Sequence, residues 1–270
     1  MGSALLITLR ETIEASLIVG IVLAYLDKTL NQTHKKFVWY GVLAGIVFSV
    51  ILAFVFQNYL GGFEGRNEEL YEGFMMLFAS GLLTWMILWM ITQRHLLKKN
   101  LENKIETHIK KDYPFGIFLL VVISIIREGT ELVIFLQGAQ IQADADSGRF
   151  LVGVLIGFVV AVLFSYLLFK GVAKISLRKF FTFTSFLLIL FAAGLFAHAI
   201  HELQEAAVLP VYIEHLWDIN WLIDEKGVFG SLLKGLFGYN GNPSLLEVVG
   251  YGTYLLLIAG IWYKIDRRKL

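Results

Sequence analysis

The 270-residue chain has no cysteine, only three prolines, and a charged fraction of 17%. Without cysteine there are no disulfides, no thiolate metal sites and no Cys nucleophile. Oxygen and imidazole are then the candidate metal ligands. Three prolines and no long polar tract leave little room for a separate soluble domain. A soluble domain of this size carries roughly a quarter charged residues and about half apolar ones. Here the apolar share is 57%, gathered into runs of about 20 residues, each able to cross a hydrocarbon core about 30 Å thick. The first ten residues lack a basic leader, and Arg10 and Glu11 interrupt their apolar run early. A retained first span is expected, not a cleaved signal peptide.

Seven spans are expected, near 4–26, 38–58, 71–92, 115–138, 150–170, 180–205 and 245–263. Apolar runs of this length satisfy their backbone groups as helices. Trp39, Tyr40, Tyr59, Tyr71, Trp262 and Tyr263 fall at span ends, as in an interfacial aromatic belt, whereas Trp85 and Trp89 sit deeper and read as packing residues. The gaps after spans one, three and five, together with the C-terminal tail, hold 17 of the 23 Lys and Arg residues. The positive-inside bias therefore puts the N-terminus outside and the C-terminus in the cytoplasm. The charged stretch ending at Ile109–Pro114 reads as a cytoplasmic connector with a short solvated helix. Residues 206–244 form the longest outer loop, and Trp217 and Trp221 suit either a membrane-surface segment or a lid over the bundle.

The spans repeat. Arg10-Glu11-Thr12-Ile13-Glu14 in span one is matched by Arg127-Glu128-Gly129-Thr130-Glu131 in span four. Gly41-xxx-Gly45 in span two is matched by Gly153-xxx-Gly157 in span five, and Ala79-Ser80-Gly81 in span three by Ala192-Ala193-Gly194 in span six. Small residues at such spacing let helices approach closely, and all three matches keep their order. Three spans per repeat is odd, so the second copy enters the membrane inverted, an arrangement that puts a substrate site near the midplane. The expected architecture is thus one all-α permease domain over 1–270: repeat one about 1–92, repeat two about 115–205, the outer loop, and a seventh helix at 245–263. At about 1.5 Å per residue, both motifs fall roughly 6–15 Å below the outer surface and can meet in one layer.

An ionisable group at bilayer depth costs about 2.5–3.5 kcal/mol or more to insert; two copies of Arg-Glu-x-x-Glu bury six. Positions i, i+3 and i+4 share a helix face, so Glu11 and Glu14 point the same way and Arg10 reaches Glu14; Arg127, Glu128 and Glu131 repeat this. If each motif were only an ion pair locking helices together, one Glu in each would be left over. Four Glu against two Arg leave a deficit that a multivalent cation neutralises, and hard oxygen ligands suit hard cations. His198, His201, Glu202 and Glu205 line a second helical face at the outer end of span six, either as interfacial residues or as ligands where a metal enters. Glu68, Glu69 and Glu72, with Glu64, form an acidic stretch before span three, either a solvated face or a means of concentrating cations. Glu72 is the one expected to face inward.

The paired Arg-Glu-x-x-Glu motifs, with seven spans and an outer N-terminus, resemble the high-affinity, oxidase-dependent iron permeases. The resemblance extends to Glu64-Gly65-Arg66-x-Glu68-Glu69-Leu70-x-Glu72-Gly73 and to His201-Glu202-Leu203-Gln204-Glu205. It implies a multi-pass protein of the cytoplasmic membrane, with Arg10, Glu11, Glu14, Arg127, Glu128 and Glu131 as the permeation residues. It also implies iron, usually ferric, as transported substrate and not as permanent cofactor. Its partners would be the bilayer and a separate extracytoplasmic oxidase or iron-delivery protein, with no nucleic acid. Two rivals stay open on the residues alone. One is an intramembrane metalloenzyme built on His201-Glu202-x-x-Glu205, which gives the duplicated motif no role. The other is a proton-coupled carrier of another metal or an organic cation, which predicts no loss of iron uptake when Glu14 or Glu131 becomes Ala.

Overall fold

A computed structural model of the chain describes residues 1–60, 64–93, 114–143, 147–170, 177–225 and 227–267. Among them there are eight α-helices and no strand. These are α1 (Gly2–Lys28), α2 (Lys35–Leu60), α3 (Arg66–Gln93), α4 (Pro114–Ala143), α5 (Ser147–Phe169), α6 (Leu177–Glu205), α7 (Val228–Phe237) and α8 (Leu245–Arg267), with a 3₁₀ turn at Gln32–His34. The charged connector expected to end at Ile109–Pro114 lies outside the described residues except for Pro114. That proline opens α4, where its missing N–H has no helical partner to lose.

Helix limits follow local chemistry. Gly65 adopts φ 59°, and its carbonyl accepts from Glu68 N at 2.8 Å. Glu68 and Glu69 then occupy the first turn of α3, where carboxylates meet the positive end of the helix dipole. α7 stops at Gly238, φ 68°, with Tyr239 N bonded back to the Leu233 carbonyl at 3.3 Å. That reverse bond and the left-handed glycine form a Schellman ending. Before α8, Ser244 N donates to Glu247 Oε1 at 3.0 Å and Glu247 N donates to Ser244 Oγ at 3.3 Å, a capping box.

Five helices, α2, α3, α5, α6 and α8, are long and apolar enough to cross a membrane. α1 and α4, of 27 and 30 residues, are as long; their motif charges keep them out of that group. α2 and α5 turn Phe48, Ile51, Phe54, Leu155, Val159 and Leu163 outward, as helices facing lipid do. Trp85 is 61% exposed, so it is a surface residue and not the packing residue expected. The main core brings together Met76, Leu83 and Ile87 of α3, Phe135 of α4, and Leu188 and Leu195 of α6.

The helices pack in a reciprocal pattern. α2 lies along α4 as α5 lies along α1, while α1 meets α4 and α3 meets α6. The expected small-residue motifs are at these crossings. A Cβ on Gly45 would stand 2.6 Å from Ile125 Cβ of α4, and one on Gly157 would stand 2.6 Å from the Leu5 carbonyl of α1. Between α3 and α6, Ser80 Oγ donates to the Ala192 carbonyl at 2.9 Å. Within residues 206–244 one segment packs on the bundle, while Trp221 is 81% exposed. α7, which the sequence reading did not place, rests on α1, α4 and α6, and Gly238 seats against Gly194, whose added Cβ would stand 2.4 Å from Gly238 Cα.

Gly157→Val should force α5 off α1, since a backbone carbonyl cannot yield as a side chain does. A loss of about 1–3 kcal/mol is expected, the scale of an overpacked core, read as earlier thermal unfolding in detergent. Gly81→Ala, which meets nothing within 4 Å, should unfold with the parent; equal losses in both variants would contradict this packing.

Candidate metal centre

The two charged motifs meet where α1 crosses α4. One carboxylate oxygen from each of Glu11, Glu128 and Glu131 lies within 4.8 Å of the others. All three side chains are buried. In each, Oε2 has no hydrogen-bond partner. Buried carboxylate oxygens normally find donors, so three clustered carboxylates that each keep one unpartnered oxygen could hold a cation. Local geometry explains the convergence: i and i+3 place Glu128 and Glu131 on one face of α4, and the close α1–α4 crossing brings Glu11 to that face. Glu14, half-buried one turn along α1, lies beside this trio and not within it.

The two arginines are not equivalent. Arg10 is fully buried and Arg127 has a side chain 48% exposed. Arg10 Nη1 donates to Glu11 Oε1 at 3.0 Å and to the Met86 sulfur at 2.8 Å. Its Nη2 pairs with Glu14 Oε1 at 3.0 Å and donates to the Met90 sulfur at 3.3 Å. Arg127 Nη2 donates to Glu128 Oε1 at 2.6 Å, its Nε stands 3.5 Å from Glu131 Oε1, and its guanidinium lies 5.4 Å from the Trp89 ring centroid. Trp89 is therefore a cation–π partner as well as a packing residue. Both arginines bind the two carboxylates of their own motif and leave the second oxygens available.

The His198–Glu205 cluster also assembles, through a residue the sequence reading missed. His198 Nε2 lies 3.5 Å from Glu202 Oε1, and His201 Nε2 lies 3.2 Å from Glu205 Oε1. The two imidazoles stack at 5.5 Å. His201 Nδ1 is 3.2 Å from Glu247 Oε1 of α8, and Glu247 Oε2 accepts from Asn240 Nδ2 at 2.8 Å. Ser244 Oγ donates to Gln204 Oε1 at 2.7 Å, and Gln204 Nε2 donates to the Pro210 carbonyl at 3.2 Å. Both ends of the outer loop are thus tied to α6. The Ser-x-x-Glu capping spacing was the one signal that could have found Glu247. Glu69 and Glu72, half-buried on α3, are within electrostatic reach of Glu202, whereas Glu68 is exposed. A cavity of about 350 Å³ beside this cluster is lined by Trp217, Phe237, Tyr239, Asn240, Glu247 and Tyr251.

Residues 1–265 match the Iron permease FTR1 family. The chain belongs to that family. It is 33% identical to the "Ferrous iron permease EfeU" of Escherichia coli O6:K15:H31 (strain 536 / UPEC) over 93% of this chain and 91% of that protein. The Shigella sonnei (strain Ss046) protein of the same name matches to the same extent. The Yersinia pestis protein of that name is 32% identical over 93% of this chain and 89% of its own length. No solved structure matches. These relatives are permeases, so the reading of His201-Glu202-x-x-Glu205 as an enzyme centre is set aside. With its long apolar helices, this family member is a multi-pass membrane protein.

Arg10 is the sole cation bonded to Glu11 among the described contacts, and removing one partner of a buried ion pair costs about 3–5 kcal/mol. Arg10→Leu should therefore lower the unfolding temperature in detergent sharply. Arg127→Leu, starting half-exposed, should lower it much less. Equal shifts would contradict the asymmetry of the two motifs.

Proposed function

We propose that this chain is an iron permease of the cytoplasmic membrane, and that iron crosses through Glu11, Glu14, Glu128 and Glu131. The observation that carries this reading is the buried trio of carboxylates from two helices, each with an orphaned oxygen. Family membership and the printed names of the relatives supply the ion. Four glutamates against Arg10 and Arg127 leave the empty site negative, and a multivalent cation relieves that charge. Such a site is expensive to hold at bilayer depth, which favours a transport role over an architectural one.

In this reading the chain is one domain of seven spans, with α1 and α4 added to the five apolar ones, the N-terminus outside and the C-terminus inside. α1–α3 and α4–α6 are inverted repeats, and α8 is the seventh span. The exchange of α2 on α4 for α5 on α1 supports that symmetry, since a two-fold axis swaps the two pairs. Glu68, Glu69 and Glu72 gather iron at the outer face; His198, His201, Glu202 and Glu205 pass it inward. The trio then binds it beneath α7. Arg10 and Arg127 hold the carboxylates in place and limit their repulsion while the site is empty. A rearrangement of the two halves exposes the ion inward, as inverted repeats allow. An oxidase or iron-delivery protein, if one takes part, is a separate extracytoplasmic chain.

Glu14→Gln and Glu131→Gln keep shape and remove charge. In proteoliposomes each should cut iron uptake by at least about tenfold, the scale of losing even an outer-shell partner of a metal site. Uptake near the parent level in both would end this mechanism.

A further inference from the structure

Arg10 fills its pocket in a way that ion pairing alone does not require. Each terminal nitrogen of its guanidinium joins one carboxylate to one thioether: Glu11 and Met86 on Nη1, Glu14 and Met90 on Nη2. Thioether sulfur is a weak acceptor, and Arg10 Nε has no partner at all. Two ion pairs at 3.0 Å hold the terminal nitrogens, but the buried, unpartnered Nε adds a cost. Remove the guanidinium, and two oxygens and two sulfurs converge on one volume. Glu11 Oε2, on a side chain 1% exposed, is already without a partner.

We infer that Glu11, Glu14, Met86 and Met90 form a second cation subsite, which takes a ferrous ion when Arg10 swings aside and sets the preference for ferrous over harder cations. Carboxylate alone suits magnesium, calcium and manganese, whereas thioether sulfur draws softer ions. Ferrous iron is softer than ferric iron or manganous ion, so two sulfurs shift the balance toward it. Opposite charge draws Arg10 toward α4, where Glu128 and Glu131 lie within its electrostatic reach. Glu11 belongs to both the trio and this subsite, which lets an ion step between them without leaving carboxylate. In the orientation proposed above, the steps from Glu11 to Glu14 and from Met86 to Met90 both lead toward the cytoplasm. The subsite therefore rests on the permease reading and adds its selectivity.

The test is competitive uptake of ferrous and manganous ions into one batch of anaerobic proteoliposomes. Met86→Leu/Met90→Leu conserves volume, a swap that cores tolerate, while deleting both sulfurs. The ratio of the two ions is read within a single preparation, so a smaller active fraction cancels. The double variant should lose at least about tenfold of the parent's ferrous-over-manganous preference, the scale of perturbing one shell of a metal site. Met76→Leu, a buried core thioether on the same helix, should keep the parent ratio. A double variant with the parent ratio would overturn the subsite and leave the permease reading standing. Parent vesicles that take up neither ferrous nor manganous ion would also overturn the subsite, and failure to take up ferric iron as well would overturn the permease reading.

Discussion

Everything in this fold is arranged around the cost of holding charge where water cannot reach it. Arg10, Glu11 and Glu128 are almost wholly buried and Glu131 nearly so. Charges taken out of water must be paired closely or they unfold the site around them. Arg10 and Arg127 pair with part of the acidic charge and leave the rest. The bundle surrounds this partly neutralised centre by close helix approach: glycines of α2 and α5 press directly onto the two motif helices, and α1 packs against α4. In the permease reading, the charge left over is what an incoming cation relieves.

A second tier of polar contacts ties the segment between α6 and α8 to the bundle. α7 rests over α1, α4 and α6, and the loop on either side of it is tied down through Gln204, Ser244 and Glu247. His201 joins the same network through Glu247. In the permease reading, the imidazole that meets incoming iron is therefore bonded to the residue that anchors the cover. Binding at the outer cluster and movement of the cover then share one hydrogen bond, which is a physical route for one to bias the other.

Much of this was legible in the sequence because charge inside an apolar run is a loud signal. Arg10, Glu11, Glu14 and their counterparts stand out against residues that otherwise prefer lipid, and their i, i+3 spacing gives the shared face directly. The glycine pairs were legible for a related reason: spacing four apart puts both on one stripe. Other features were silent. Met86 and Met90 look like any apolar pair one turn apart, and nothing in their spacing marks their sulfur as facing Arg10. Trp85 and Trp89 share the same local pattern, yet one faces outward and the other meets Arg127, a difference fixed by which neighbour each helix face finds. α7 was hidden because ten residues carry too little periodicity to separate a short helix from a loop. Glu247 was written into the Ser-x-x-Glu spacing but belongs to a cap, a signal of helix geometry rather than of metal chemistry.

The central claim is that Glu11, Glu128 and Glu131 jointly hold the transported ion. The most direct measurement is anomalous diffraction at the iron edge from crystals equilibrated anaerobically with ferrous salt. The account predicts a peak at the crossing of α1 and α4, bonded by carboxylate oxygens from both helices. A peak confined to the His198–Glu205 cluster, with the α1–α4 crossing empty at saturating iron, would contradict it.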